Sequence, residues 1–179
     1  MKISSAIVSA SLLIAGPAYC CQADGVYGFA FGSKPSRLGE KLYGNYASVW
    51  YVAKAPEPDP RFDSYEVRLD TEKRELLEVV AVKKTYHLPA DGAKYSPEEV
   101  KEGKRLSREF AVQFIATLPP RLQASLVDKY GAGNWEGEAE EGFHMSVSAS
   151  TPYKVTVSCL DNKREWAIAR RVMPELFKK

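Results

Sequence analysis

Strict alternation of apolar and polar residues constrains this chain more than any other feature. In 143–149, Phe143, Met145, Val147 and Ala149 alternate with His144, Ser146 and Ser148. In 153–159, Tyr153, Val155, Val157 and Cys159 alternate with Lys154, Thr156 and Ser158. In 64–70, Tyr65, Val67 and Leu69 point one way, and Glu66 and Arg68 the other. A period of two puts each apolar set on one face of a strand. Strands that are apolar on one side only belong to an antiparallel sheet covered on that side. The 10 Tyr, 7 Phe and 3 Trp suit such a fold.

Further strands are expected at 26–31 (VYGFAF), 47–54 and 75–86, and a last one around Trp166 and Ile168. Pro56, Pro58 and Pro60 alternate, which makes an extended link rather than a central strand. Pro35 to Leu42 could form a short helix capped by Ser33. HLPADGAKY (87–95) reads as a loop.

Ser96-Pro97-Glu98-Glu99 combines a capping serine, a proline at the first helical position and a glutamate three residues after the cap. Leu106, Phe110, Phe114 and Leu118 follow at four-residue steps, so an amphipathic helix over about 97–117 is expected. Its stripe should meet Tyr65, Val67, Val155, Val157 and Ile168. Pro119 and Pro120 end it, and a second helix should carry Leu122, Leu126 and Tyr130 to a stop at Gly131. GAGNWEGEAEEG (131–142) reads as a polar loop.

The expected architecture is α+β: a single antiparallel sheet of about six to seven strands with helices packed on one face. LDTEKRE (69–75) and LDNKRE (160–165) echo each other, which suggests two tandem helix-plus-three-strand units. Turn chemistry alone supplies part of that match.

The first twenty residues read as an address. Lys2 is followed by an uncharged run from Ile3 to Ile14, then by Gly16 and Pro17. That is the order of a secretory signal, and the run is too short to span a bilayer. Cleavage is expected between 18 and 23, leaving one domain over 21–179, enough to bury about 70% of its unfolded surface. Cys20 and Cys21 give a lipid anchor as an alternative, although bulky Tyr19 before Cys20 disfavours it. The expected location is periplasmic or secreted, or else membrane-anchored. In an oxidising compartment Cys21 and Cys159 could pair if the cut falls after Cys20.

The net charge is +2, from 25 basic and 23 acidic residues, and the cations are scattered along the chain. Nothing in these totals points to nucleic acid. His87 and His144 are the only histidines and lie far apart in sequence, so no metal site is expected. Elbow, phosphate-loop and zinc-protease motifs are absent, and no cofactor is expected.

The most specific surface feature is NWEGEAEEG (134–142), in which Glu136, Glu138, Glu140 and Glu141 surround Trp135. Such a segment could anchor in a basic cleft on another protein. The plainer reading is a solvated linker with Trp135 folded onto the core. The expected function is therefore an exported, non-catalytic binding protein of inhibitor or immunity type that occludes a partner with a basic surface. Alternatives are an envelope assembly factor and an enzyme with a dispersed site.

Overall fold

The alternating segments do form one sheet. The computed structural model describes residues 21–87 and 94–177; the signal region and positions 88–93 of the expected loop fall outside them. The strands are β1 (Leu38–Gly44), β2 (Ser48–Ala53), β3 (Ser64–Asp70), β4 (Leu76–Lys84), β5 (Asn134–Glu140), β6 (Phe143–Ser148) and β7 (Lys154–Asp161). The helices are α1 (Pro97–Ala116), α2 (Pro120–Ser125) and α3 (Asn162–Val172), followed by a short 3₁₀ turn at Pro174–Phe177. The sheet has seven strands in the order β1-β2-β3-β4-β7-β6-β5, and every neighbouring pair is antiparallel. The chain is thus an α+β protein built on a single antiparallel sheet, as expected.

Register decides what each face carries. Across the middle of the sheet Tyr51, Val67, Val79, Cys159, Met145 and Gly137 fall in one row. The next row holds Ala53, Tyr65, Ala81, Val157, Val147 and Trp135. Most of these side chains are buried in one core together with Phe114, Leu118, Leu122 and Leu126. Their helical cover is α1 on β6 and β7, and α2 on β5.

The start of α1 is as the sequence predicts. Ser96 accepts the Glu99 N–H at 3.1 Å, and the Glu99 carboxylate accepts the Ser96 N–H at 2.8 Å. Phe110 and Phe114 meet Phe62 edge-on, with centroids 5.9 and 5.4 Å apart. Gly103 lets α1 come down on the β6–β7 connection: a Cβ there would stand 2.0 Å from the Pro152 carbonyl oxygen.

Several local expectations are corrected. VYGFAF is no sheet strand; Val26 and Phe29 exchange backbone hydrogen bonds across a tight turn with positive φ at Tyr27 and Gly28. Pro35 to Leu42 is not helical: it leads into edge strand β1, and the Ser33 hydroxyl bonds the Ala30 carbonyl instead of capping. The second helix stops at Ser125 and Tyr130 is exposed. The Asp128 carboxylate accepts the Ala132 and Gly133 N–H groups, which turns the chain before a further helical turn can form.

Residues 134–140 form β5 rather than a loop. Gly137 and Ala139 hold the inward positions where the sequence shows no apolar signal. Gly137 must be small, since a Cβ would lie 2.3 Å from the Ser125 carbonyl oxygen in α2. The segment with Trp166 and Ile168 is α3 rather than a strand. Asp161 accepts the Arg164 N–H at 3.0 Å as its N-cap, and Arg170 and Arg171 sit in its last turn. Ile168 is therefore not part of the α1 contact; it lines a shallow pocket with Leu77, Asp70 and Arg171.

The echoing segments take different structures. Asp70 closes the β3–β4 turn by accepting the Glu72 N–H at 2.9 Å, whereas Asp161 caps a helix. The same short letters serve two devices, because an aspartate can bond a backbone N–H two or three residues on in either setting.

Candidate functional site

The face of the sheet opposite α1 holds the polar half of each alternating strand. One row across it reads Tyr43, Trp50, Arg68, Glu78, Leu160, His144 and Glu138. The next reads Val52, Glu66, Val80, Ser158, Ser146 and Glu136. Glu66, His144, Ser146, Ser158 and Leu160 are all half-buried, while Glu136 and Glu138 are exposed. Neither α1 nor α2 packs on this side, and α3 reaches it through Glu165.

Arg68 organises its centre. Its Nε lies 3.0 Å from Glu78 Oε2. Its two terminal nitrogens bond both carboxylate oxygens of Glu165 in α3, at 3.2 and 2.6 Å. The guanidinium stands 5.7 Å from the Trp50 ring centre, and the tilted Tyr43 ring lies 5.6 Å from Trp50, centre to centre. The Ser158 hydroxyl donates to Glu78. Burial pushes the Glu78 carboxyl above its ordinary range, against the pull of Arg68 and the Ser158 bond. Burial, followed by the Glu66 and Glu78 carboxylates, likewise raises the Tyr43 phenol. The result is an aromatic and ionic ladder, fixed by the bidentate Arg68–Glu165 pair and the Arg68–Glu78 contact, with Glu66 and Glu136 beside it.

The sequence singles out a different group, and the structure distributes it. Trp135 is half-buried against the core with the Arg108 guanidinium 5.7 Å above its ring, so it is no exposed anchor. Glu140 accepts the Ala23 N–H at 3.1 Å and so holds the start of the domain to β5. Glu138 accepts the Gly142 N–H at 3.4 Å, and Glu141 lies 3.5 Å from Lys163. Glu136 and Glu138 extend the acidic character of the open face, since their register places them beside Ser146 and His144.

Cys21 and Cys159 are joined by a disulfide, which ties the N-terminal segment to β7 at the centre of the sheet. His87 lies 3.5 Å from Glu99 beside the start of α1, whereas His144 is on β6, so the two histidines occupy separate elements. Among the described residues no three metal-ligating side chains converge. Among the same residues no helix is long and apolar enough to cross a membrane.

Trp50 and Tyr43 are the members of the open face that the sequence alone does not single out. The available signal is register: alternation already sets Glu66 and Arg68 apart from Tyr65 and Val67, and pairing of β2 with β3 brings Trp50 beside Arg68. No family model, curated protein or solved structure matches the chain.

Proposed function

We propose that this chain is an exported, disulfide-stapled, non-catalytic binding protein that presents the open face of its sheet to a partner protein with a basic surface. The observation that carries the reading is the ladder Tyr43–Trp50–Arg68–Glu78 with Glu66, Glu136 and Glu138 around it. Arg68 is taken up by Glu78 and Glu165, so around the ladder the charge left to face outward is that of Glu66, Glu136 and Glu138, while Lys84 and Lys154 lie at the far end of the same face. Aromatic side chains supply contact area at the centre of an interface, and rim carboxylates steer and orient a basic partner. The bidentate bonds hold the centre in place before binding, which lowers the ordering cost of association. Export is supported by the leader-like opening of the sequence and by the Cys21–Cys159 bridge, which suits an oxidising compartment.

The test is site-directed photo-crosslinking in the producing cell, with the probe replacing Ser146 on the open face. One discrete protein adduct is expected, weakened at least several-fold when Glu66, Glu136 and Glu138 are together changed to glutamine. An adduct of undiminished intensity in that variant would remove the acidic face from the reading.

A further inference from the structure

A second feature lies away from the open face, where the N-terminal loop meets the chain leaving β2. A cavity of about 550 Å³ opens there, with Phe29 and Ala55 in its floor and Lys34, Arg37 and Lys54 among its lining. That volume falls within the range of small-molecule sites. No carboxylate lines it. Elsewhere Arg61, Arg68, Arg105, Arg164 and Arg171 each hold a carboxylate within 3.2 Å. Among the described residues, Lys34, Arg37 and Lys54 have no such partner. All three are exposed, so their charged ends stand at the mouth of the cavity, where an incoming anion can reach them.

The walls are built rather than incidental. Tyr27 and Phe29 are buried, and the Glu57 N–H bonds the Tyr27 carbonyl at 3.1 Å. Gly32 and Ser33 are tied to Leu76 by reciprocal backbone bonds of 3.0 and 2.8 Å. Gly28 has φ +75°, and a Cβ there would stand 2.8 Å from the Pro56 side chain, so glycine keeps the two walls in register. Ser36 adds a hydroxyl donor to the lining.

We propose that this cavity binds a small organic phosphate, with the phosphate held by Lys34, Arg37 and Lys54 and an apolar body resting on Phe29 and Ala55. A tetrahedral oxyanion offers acceptors in several directions, which suits three cationic donors from two chain segments better than a single carboxylate does. The phosphate can belong to a soluble ester or to a lipid headgroup, and the two sources are separable.

The experiment is titration calorimetry on the exported protein with its disulfide intact, at matched ionic strength. Phenyl phosphate should bind at one site and at least several-fold tighter than inorganic phosphate. K34A/R37A/K54A should weaken it tenfold or more, and S36D should do the same by placing a carboxylate in the cavity. K101A/K104A/K129A, which removes three exposed lysines elsewhere, should leave it unchanged. A parallel arm uses phosphatidylcholine vesicles with and without phosphatidic acid. Vesicle binding that needs phosphatidic acid and is lost in K34A/R37A/K54A assigns the phosphate to a lipid headgroup. Absence of binding to both probes and vesicles overturns the proposal. So does equal loss in the K101A/K104A/K129A control, which would mark the effect as general surface charge.

Discussion

Phe114 is 2% exposed and packs edge-on against Phe62, with the Arg61 guanidinium 4.8 Å from its ring centre. Replacing it by alanine should cost about 3–5 kcal/mol, read by chemical unfolding, because a buried ring leaves a cavity that its neighbours cannot fill. Phe110 is only half-buried and should cost clearly less. A near-zero loss at Phe114 would contradict the packing of α1 on the sheet. Asp70 gives a test that depends on pH. Burial pushes its carboxyl up, but the Arg171 bond and the Glu72 and Lys73 N–H groups outweigh this, so its net shift is downward. A carboxylate with a depressed pKa in the folded state adds stability above its unfolded value and loses it as pH falls through the folded one. Asp70→Asn should therefore cost about 1–3 kcal/mol at neutral pH. The gap to the native protein should close as pH falls below about 4, where the unfolded carboxyl begins to take up its proton. A gap independent of pH would show that the charge on Asp70 is not what stabilises the turn.

At the scale of elements, Gly103 makes the sharpest prediction. Alanine in a helix interior ordinarily gains about 1 kcal/mol over glycine. Here the added Cβ would meet the Pro152 carbonyl oxygen at 2.0 Å, so Gly103→Ala should instead destabilise by about 1–3 kcal/mol in a thermal or chemical melt. A gain would mean that α1 sits further from the β6–β7 connection. The same close approaches explain which elements were legible in the sequence. Strands β3, β6 and β7 announce themselves because one face is apolar and the other polar throughout, and α1 because of its cap; of its expected stripe Phe114 is buried but Leu106 and Phe110 are half-buried, since the side turned to the sheet is Gly103, Ser107, Ala111 and Phe114. Strand β5 is hidden because α2 comes so near Gly137 that no side chain fits there, and with Ala139 as the next inward residue only Trp135 is a large apolar signal, leaving glutamates as the visible pattern. Helix α3 is hidden because its one buried side chain, Ile168, gives no stripe to read. The acidic run was visible as composition, but its division between structural bonds and the open face needed the β5–β6 register. The three cations of the cavity come from two segments that nothing local connects.

For the whole molecule, the Cys21–Cys159 bridge closes a loop with a sequence separation of 138 residues. Cross-linking so long a loop restricts the unfolded chain strongly, and C21S/C159S should lose about 2–5 kcal/mol of stability by denaturant unfolding. Unchanged stability would mean that buried Tyr27 and Phe29 and the hydrogen bonds to Ala23, Gly32 and Ser33 hold the N-terminal segment without the bridge. The two faces of the sheet differ in kind: one is a core under α1 and α2, the other a rigid ladder with acidic side chains beside it. The measurement that bears most directly on the proposed role compares them. A photo-crosslinking probe is placed once at Ser146 on the open face and once at Val112, which is 51% exposed on α1. The account predicts a discrete partner adduct from Ser146 and none of that mass from Val112. The same adduct from both positions, or from Val112 alone, would contradict it.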